Sequence, residues 1–318
     1  MVGYVVRRAL ALVPVLSVVA VVTFGLMHLM PGDAAAVMLG PDASPEQVDA
    51  LRESLGLNDP LLVQFFSWVG AALTGDLGTS LFIGLPVTEV LLAALGPTIN
   101  LAVLAQVLAI LIGVPAGIVA AKKQGTGADQ TVMVGALMGI SVPSFLLGLF
   151  LMLLFGVILG WLPVAGYVPP DQGLGEALRY LALPAIALGA MQAALIARMT
   201  RTAMLDTLSK NYMKTAKAKG LKARVTLYKH ALRNAALPII TTIGQTLGTL
   251  IAGAAVVETV FNIPGIGQLI VNSVERRDLV VIQGVVLMIA VSYVLINFLV
   301  DVLYSVLDPR VRFAGGDS

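Results

Sequence analysis

Residues 98–121 read TINLAVLAQVLAILIGVPAGIVAA, twenty-four consecutive residues without a charge. At 1.5 Å per residue a helix of that length covers roughly 36 Å, more than the roughly 30 Å of a bilayer's hydrocarbon. The stretch therefore reads as a transmembrane helix. Pro115 does not veto it, because proline and glycine are commoner in membrane helices than in soluble ones. Working outward, five more windows pass the same test: Ala9–Met30, Val132–Leu159, Leu181–Ala197, Leu237–Val257 and Val280–Leu303. Leu181–Ala197 is the shortest and the least apolar. The expected fold class is all-α, a polytopic membrane protein with six transmembrane helices.

Composition agrees. Of 318 residues, 58% are hydrophobic and only 12% charged, with a mean hydropathy of +0.93. A soluble domain carries about 25% charged residues, so a soluble globule of this length is excluded. There is no cysteine, and the two histidines, His28 and His230, lie far apart. Disulfide scaffolds, thiolate metal sites and histidine clusters are thereby removed. Arg7-Arg8 ahead of the first window imitates a signal peptide. The window is too long for an h-region, however, and its Met30-Pro31-Gly32-Asp33 exit offers no small-residue cleavage site. It reads as a retained span.

The charges orient the chain. Grouping the N-terminus, the second and fourth connections and the C-terminus places 16 of the 20 Lys and Arg on one side. The other side holds Arg52, Arg179, Arg276 and Arg277, together with 13 of the 18 acidic residues. The positive-inside rule then puts both termini in the cytoplasm.

Two connections are too long for simple turns. Residues 31–97 form an acidic outer segment with helical pieces. In Ser44-Pro45-Glu46-Gln47, Ser44 stands at an N-cap and Pro45 at the first helical position. A second piece, Pro60–Leu73, carries Phe65, Phe66 and Trp68. A small folded cap is expected. The connection at 198–236 is basic. Lys210, Lys214 and Lys217 recur on one helical face, and Leu205, Leu208, Tyr212 and Ala216 on another. Gly220 stops this amphipathic helix as a C′ glycine would. A second run, Arg224–Ala236, leads to Leu237-Pro238. Periodicity alone leaves two uses open: lying on anionic headgroups, or docking a soluble partner against Ala216, Ala218 and Gly220.

Specific motifs accompany that connection. Tyr212-Met213-Lys214-Thr215-Ala216-Lys217-Ala218-Lys219-Gly220 is followed by His230-Ala231-Leu232-Arg233-Asn234-Ala235-Ala236-Leu237-Pro238. Pro31-Gly32-Asp33, Gly75-Asp76-Leu77-Gly78, Glu258-Thr259-Val260-Phe261-Asn262-Ile263-Pro264-Gly265-Ile266-Gly267 and Leu307-Asp308-Pro309-Arg310 fall around it in order. The set resembles the permease subunits of bacterial ABC importers in the dipeptide/oligopeptide/nickel branch, specifically the first-permease type with a long outer loop. The match to the family's E-A-A-x-x-x-G element is partial, since Lys214 and Thr215 stand at its first two positions.

The resemblance implies a type I ABC importer permease fold with a small outer cap between helices 1 and 2. It divides the chain into an N-terminal segment with the first span (1–30), an extracytoplasmic loop (31–97), a core of spans two to six (98–310) containing the coupling loop 198–236, and a tail (311–318). It implies a bacterial inner-membrane location. The partners would be a second permease, two ATP-binding subunits, an extracytoplasmic substrate-binding protein and the lipid membrane, with no nucleic acid. This chain would bind no cofactor, catalyse nothing and hold no metal, with ATP and Mg bound by partners. Fittingly, it contains no Gly-Lys pair and hence no P-loop. The coupling residues would be Tyr212, Lys214, Thr215, Ala216, Ala218, Gly220 and Leu221. Pathway or gate residues are sought among Gln245, Thr249, Glu258, Asn262, Pro264, Gly265 and Asp301, polar or turn positions on and after the fifth and sixth spans.

Two other classes compete. An ion-coupled transporter needs carboxylates near mid-depth, and Asp301 alone lies within a window, off-centre. A membrane hydrolase needs a nucleophile with a base; Ser141 and Ser144 have no histidine at their depth. Within the resemblance the solute is what the binding protein delivers: dipeptides, oligopeptides, glutathione or nickel chelates.

Overall fold

The computed structural model describes residues 2–29, 34–40, 43–54, 56–80 and 82–307. No β-strand occurs among them. Two helices of 36 residues, α6 (Val87–Lys122) and α9 (Leu174–Ser209), form the centre. They run in the same direction with small residues at the seam. A Cβ added at Gly113 would meet the backbone oxygen of Ala193, one at Gly117 that of Ala197, and one at Gly189 that of Ala105. Contact this close lets packing, which drives helix association in lipid, act along the whole seam.

The chain reaches this pair through α1 (Val2–Leu10), α2 (Leu12–Leu29), α3 (Ala34–Leu39), α4 (Pro45–Ser54) and α5 (Leu61–Leu73). Residues 6–25 are long and apolar enough to span. The Ser44 cap forms as a capping box: the Gln47 N–H donates to Ser44 Oγ (3.3 Å) and the Ser44 N–H to Gln47 Oε1 (2.9 Å). The aromatics of α5 pack on the first span, with Phe24 edge-on to Phe65 at 5.4 Å and tilted against Trp68 at 6.0 Å. The helix containing the second span starts at Val87, eleven residues before the apolar window, so the connection from the first span ends at Pro86.

Beyond α6 lie α7 (Gly127–Ser141) and α8 (Ser144–Leu151, continued as a π-helix to Ile158). The single window Val132–Leu159 is thus broken: the two pieces meet at 101°. Pro143 removes a helical N–H and drives Val142 into an extended conformation. After α9 come α10 (Asn211–Ala218), α11 (Ala223–Val225, continued as a π-helix to Leu232), α12 (Arg233–Val260), α13 (Ile266–Glu275) and α14 (Leu279–Leu307). The run 223–260 bends by 54° between Leu250 and Gly253. Among the described residues four helices are long and apolar enough to cross a bilayer on their own, and up to six crossings result if each bent pair is one span.

The weakest window proves more enclosed than the other three unbroken spans. Two thirds of the spanning stretch in α9 is buried within the chain. Its low apolarity reflects alanine and glycine facing other helices instead of large side chains facing lipid. At the opposite end of the bundle from Lys122, Ser80 donates to Asp278 Oδ2 (2.5 Å), and Asp278 also accepts the Val281 N–H at the start of α14. This pair ties the segment before α6 to the final helix.

Candidate functional site

Three places gather the polar residues singled out above. The first is the segment between α9 and α12. One continuous amphipathic helix was expected from Leu205 to Gly220, and the structure corrects this. Lys210 is extended (φ −67°, ψ 148°) and separates α9 from α10. The break changes the helical phase, so Met213, not Tyr212, turns inward. Met213 is fully buried among Ile118, Ala203, Met204, Leu227, Ala231 and Ala235, while Tyr212 is 44% exposed. Lys214, Thr215, Ala218, Gly220 and Leu221 are exposed and Ala216 half-buried. Gly220 has φ +75°, and the Leu221 N–H reaches back to the Ala216 carbonyl (3.3 Å). That is a Schellman cap at the expected glycine. The Arg224–Ala236 run is no separate helix. It enters α12 through the π-helix without interruption. Val225 and Tyr228 stand exposed beside Lys222, Arg224 and Lys229, extending the basic face.

The second place is the turn after α12. Glu258 is completely buried. Its carboxylate accepts from Thr98 Oγ1 (2.6 Å), the Gly267 N–H (2.7 Å) and the Gln268 N–H (3.2 Å). Thr98 Oγ1 in turn accepts the Ile266 N–H (2.8 Å). Side chains from α12 and α6 thereby satisfy the first three N–H groups of α13, where a negative charge is also favoured. A Cβ on Gly265 would strike the Glu258 carboxylate, and one on Gly267 the Ala255 backbone. Asn262 (φ +51°) and Pro264 are exposed at the turn's rim. Glu258 faces no open cleft.

The third place is a cleft of about 370 Å³ between α9 and α12. Leu195, Arg198, Met199 and Thr202 line it from α9, and Thr242, Gln245, Thr246 and Thr249 from α12. Gln245 and Thr249, both expected pathway residues, are brought together here and are exposed. Arg198, Thr202 and Thr242 join them, none of which forms part of a motif in the sequence. Position 301 falls on α14, and the Asp301 side chain lies outside the described residues. No group of three His, Asp or Glu side chains able to hold a metal occurs among the described residues.

Residues 113–313 match the family described as "Binding-protein-dependent transport system inner membrane component", and residues 1–83 match that family's N-terminal component. The chain belongs to this family. Similar members include a probable peptide ABC transporter permease of Sinorhizobium fredii, 43% identical over 98% of this chain and 99% of the relative. A dipeptide transport system permease of Alkalihalophilus pseudofirmus is 42% identical over 98% and 100%. A glutathione transport system permease of Shigella flexneri is 41% identical over 98% and 100%. In structure, the chain resembles one from the inward-facing MetNI methionine ABC transporter, with a TM-score of 0.59 at 20% identity. That match covers 69% of this chain and 97% of the other, and it shows a shared fold, that of a type I ABC importer permease.

One further contact stiffens this permease family member beside the first site. Arg201 of α9 grips Asp129 at the start of α7 through Nε (2.6 Å) and a terminal amine (2.8 Å), and the Gly125 N–H adds a third bond at 3.0 Å. A bidentate pair fixes orientation as well as distance. The lysine-flanked turn between α6 and α7 is thus clamped to the end of α9, from which α10 departs.

Proposed function

We propose that this chain is the permease subunit of an ATP-driven importer, forming half of a pathway for short peptides delivered by an extracytoplasmic binding protein. The observation that carries the reading is a mechanical one. A small exposed helix, α10, is rooted by Met213 and followed by a helix that runs without a break from Ala223 to the cleft at Thr242–Thr249. Displacement of α10 therefore moves a wall of that cleft as a rigid element.

In this reading the exposed face of Tyr212, Lys214, Thr215, Ala218, Gly220 and Leu221, with Ala216 at its edge, seats in a groove of an ATP-binding subunit. Two such subunits, a second permease and the binding protein complete the assembly. Both termini lie in the cytoplasm, as the lysine and arginine distribution favours. The chain is no enzyme; energy reaches it by contact. Gln245 and Thr249 line the pathway. Asn262 and Pro264 form its outer rim, and Glu258 with Gly265 holds that rim in shape. Asp301 is assigned to the inner part of the same pathway. Peptide as the solute class follows the peptide, dipeptide and glutathione permeases that this chain resembles.

Reconstitution in liposomes tests this. Uptake of a dipeptide should require the second permease, the ATP-binding subunits, the binding protein and ATP together. Accumulation against a gradient by this chain alone would overturn the reading.

A further inference from the structure

We propose that Arg198 reads the free carboxylate of a peptide seated in the α9–α12 cleft; the inference rests on the pathway reading above. The observation is an uncompensated charge. Among the described residues Arg198 is the one charged residue lining the cleft, whose other polar groups are threonine hydroxyls and the Gln245 amide. Among the residues whose side chains are described, which leaves out Asp301, no carboxylate lies within ion-pair distance of its guanidinium. The other arginines of α9 are occupied: Arg201 by Asp129 and Arg179 by Glu176. Asp206, the remaining acid toward this end of α9, pairs with Lys210. α12 presents no charged group toward the cleft, only Thr242, Gln245, Thr246 and Thr249.

A guanidinium offers a planar fork of donors that matches a carboxylate in two parallel hydrogen bonds. Arg198 is exposed on the wall of this cleft, so its guanidinium can be met by a ligand's carboxylate. The cleft's volume of about 370 Å³ lies within the range of small-ligand sites, roughly 300–1,000 Å³. Gln245 and Thr249 stand where they can exchange hydrogen bonds with a peptide's amide groups. The site thus selects an anionic end group followed by a neutral polar backbone.

The test uses the permease–ATPase complex without the binding protein, so that protein's own selectivity does not enter. The chain has no cysteine, so Thr202→Cys gives it a single thiol on the exposed wall of the cleft. The rate of maleimide labelling of this chain is followed with alanylalanine or its C-terminal amide present. Alanylalanine should slow labelling and the amide should not. Arg198→Gln should raise the protecting concentration about tenfold or more, as loss of a charge-assisted hydrogen bond entails. Arg198→Lys should keep part of the protection. Equal protection by acid and amide, protection by neither, or protection that survives Arg198→Gln would overturn the proposal. The last result is also what a lipid phosphate or a second-permease carboxylate bound to Arg198 would give. ATP-driven uptake by the unsubstituted complex, measured alongside with the binding protein added, reports separately on the permease reading.

Discussion

The two ends of the helix that runs from Ala223 to Val260 are held in opposite ways. At the far end, Glu258 is sealed inside the bundle, and together with Thr98 it satisfies three backbone donors of α13. Gly265 and Gly267 leave no room for a methyl group. At the near end, α10 touches the core through one fully buried side chain, Met213, and ends on a cap exposed to solvent. The first arrangement makes a frame and the second a lever. A push on α10 reaches the following helix through the contact of Met213 with Leu227, Ala231 and Ala235, and the 54° bend between Leu250 and Gly253 separates that moving part from the anchored turn.

The sharpest way to break the contrast is Glu258→Ala. It strands a hydroxyl and two backbone N–H groups in the interior, each costing about 1–3 kcal/mol. A large loss of thermal stability in detergent is expected, together with loss of assembly, and Glu258→Gln should cost less because it keeps acceptor capacity. Next comes Met213→Ala, which should cost about 2–5 kcal/mol as a truncated core methionine. Its effect should stay local. Amide exchange and proteolysis should rise across residues 210–223 and remain unchanged across 258–267. Uniform loosening at both ends would show that the lever and the frame are not separate.

Gly220→Val is milder. A Cβ at this position meets nothing within 4 Å, so the cost is the left-handed backbone, about 1–2 kcal/mol. ATP hydrolysis should persist while uptake falls, and Gly220→Asn should be tolerated better because asparagine visits φ > 0 more readily. The smallest effect belongs to Lys214→Ala. On this exposed position a stability change within about 0.5 kcal/mol is expected, with any loss of coupling growing as salt is raised to screen the remaining basic face.

The sequence carried these two ends unequally. The turn was visible as a polar, glycine-rich interruption after an apolar run. That Glu258 points inward was not, because its partners Thr98 and Gly267 come from 160 residues away and from nine residues on. At the lever, Gly220 and its cap were legible, since a left-handed stop leaves a glycine in the sequence. The inward face was misassigned because the break at Lys210 leaves no proline or glycine behind, and without it the period runs on through Tyr212. The spans facing lipid, such as 98–121, announced themselves by large apolar side chains. The α9 window understated itself, because a helix enclosed by other helices is built of alanine and glycine. Arg198 was invisible as a site until Thr242, Gln245 and Thr249 were brought opposite to it.

The account turns on α10 meeting an ATP-binding subunit at the cytoplasmic face. With no native cysteine in the chain, Ala218→Cys places a unique thiol on the exposed side of this helix. In the assembled transporter a short bifunctional reagent should join that thiol to an ATP-binding subunit. A membrane-impermeant maleimide should reach it only in inverted vesicles. Labelling from the outside of intact cells, or cross-linking to the binding protein instead, would contradict the account.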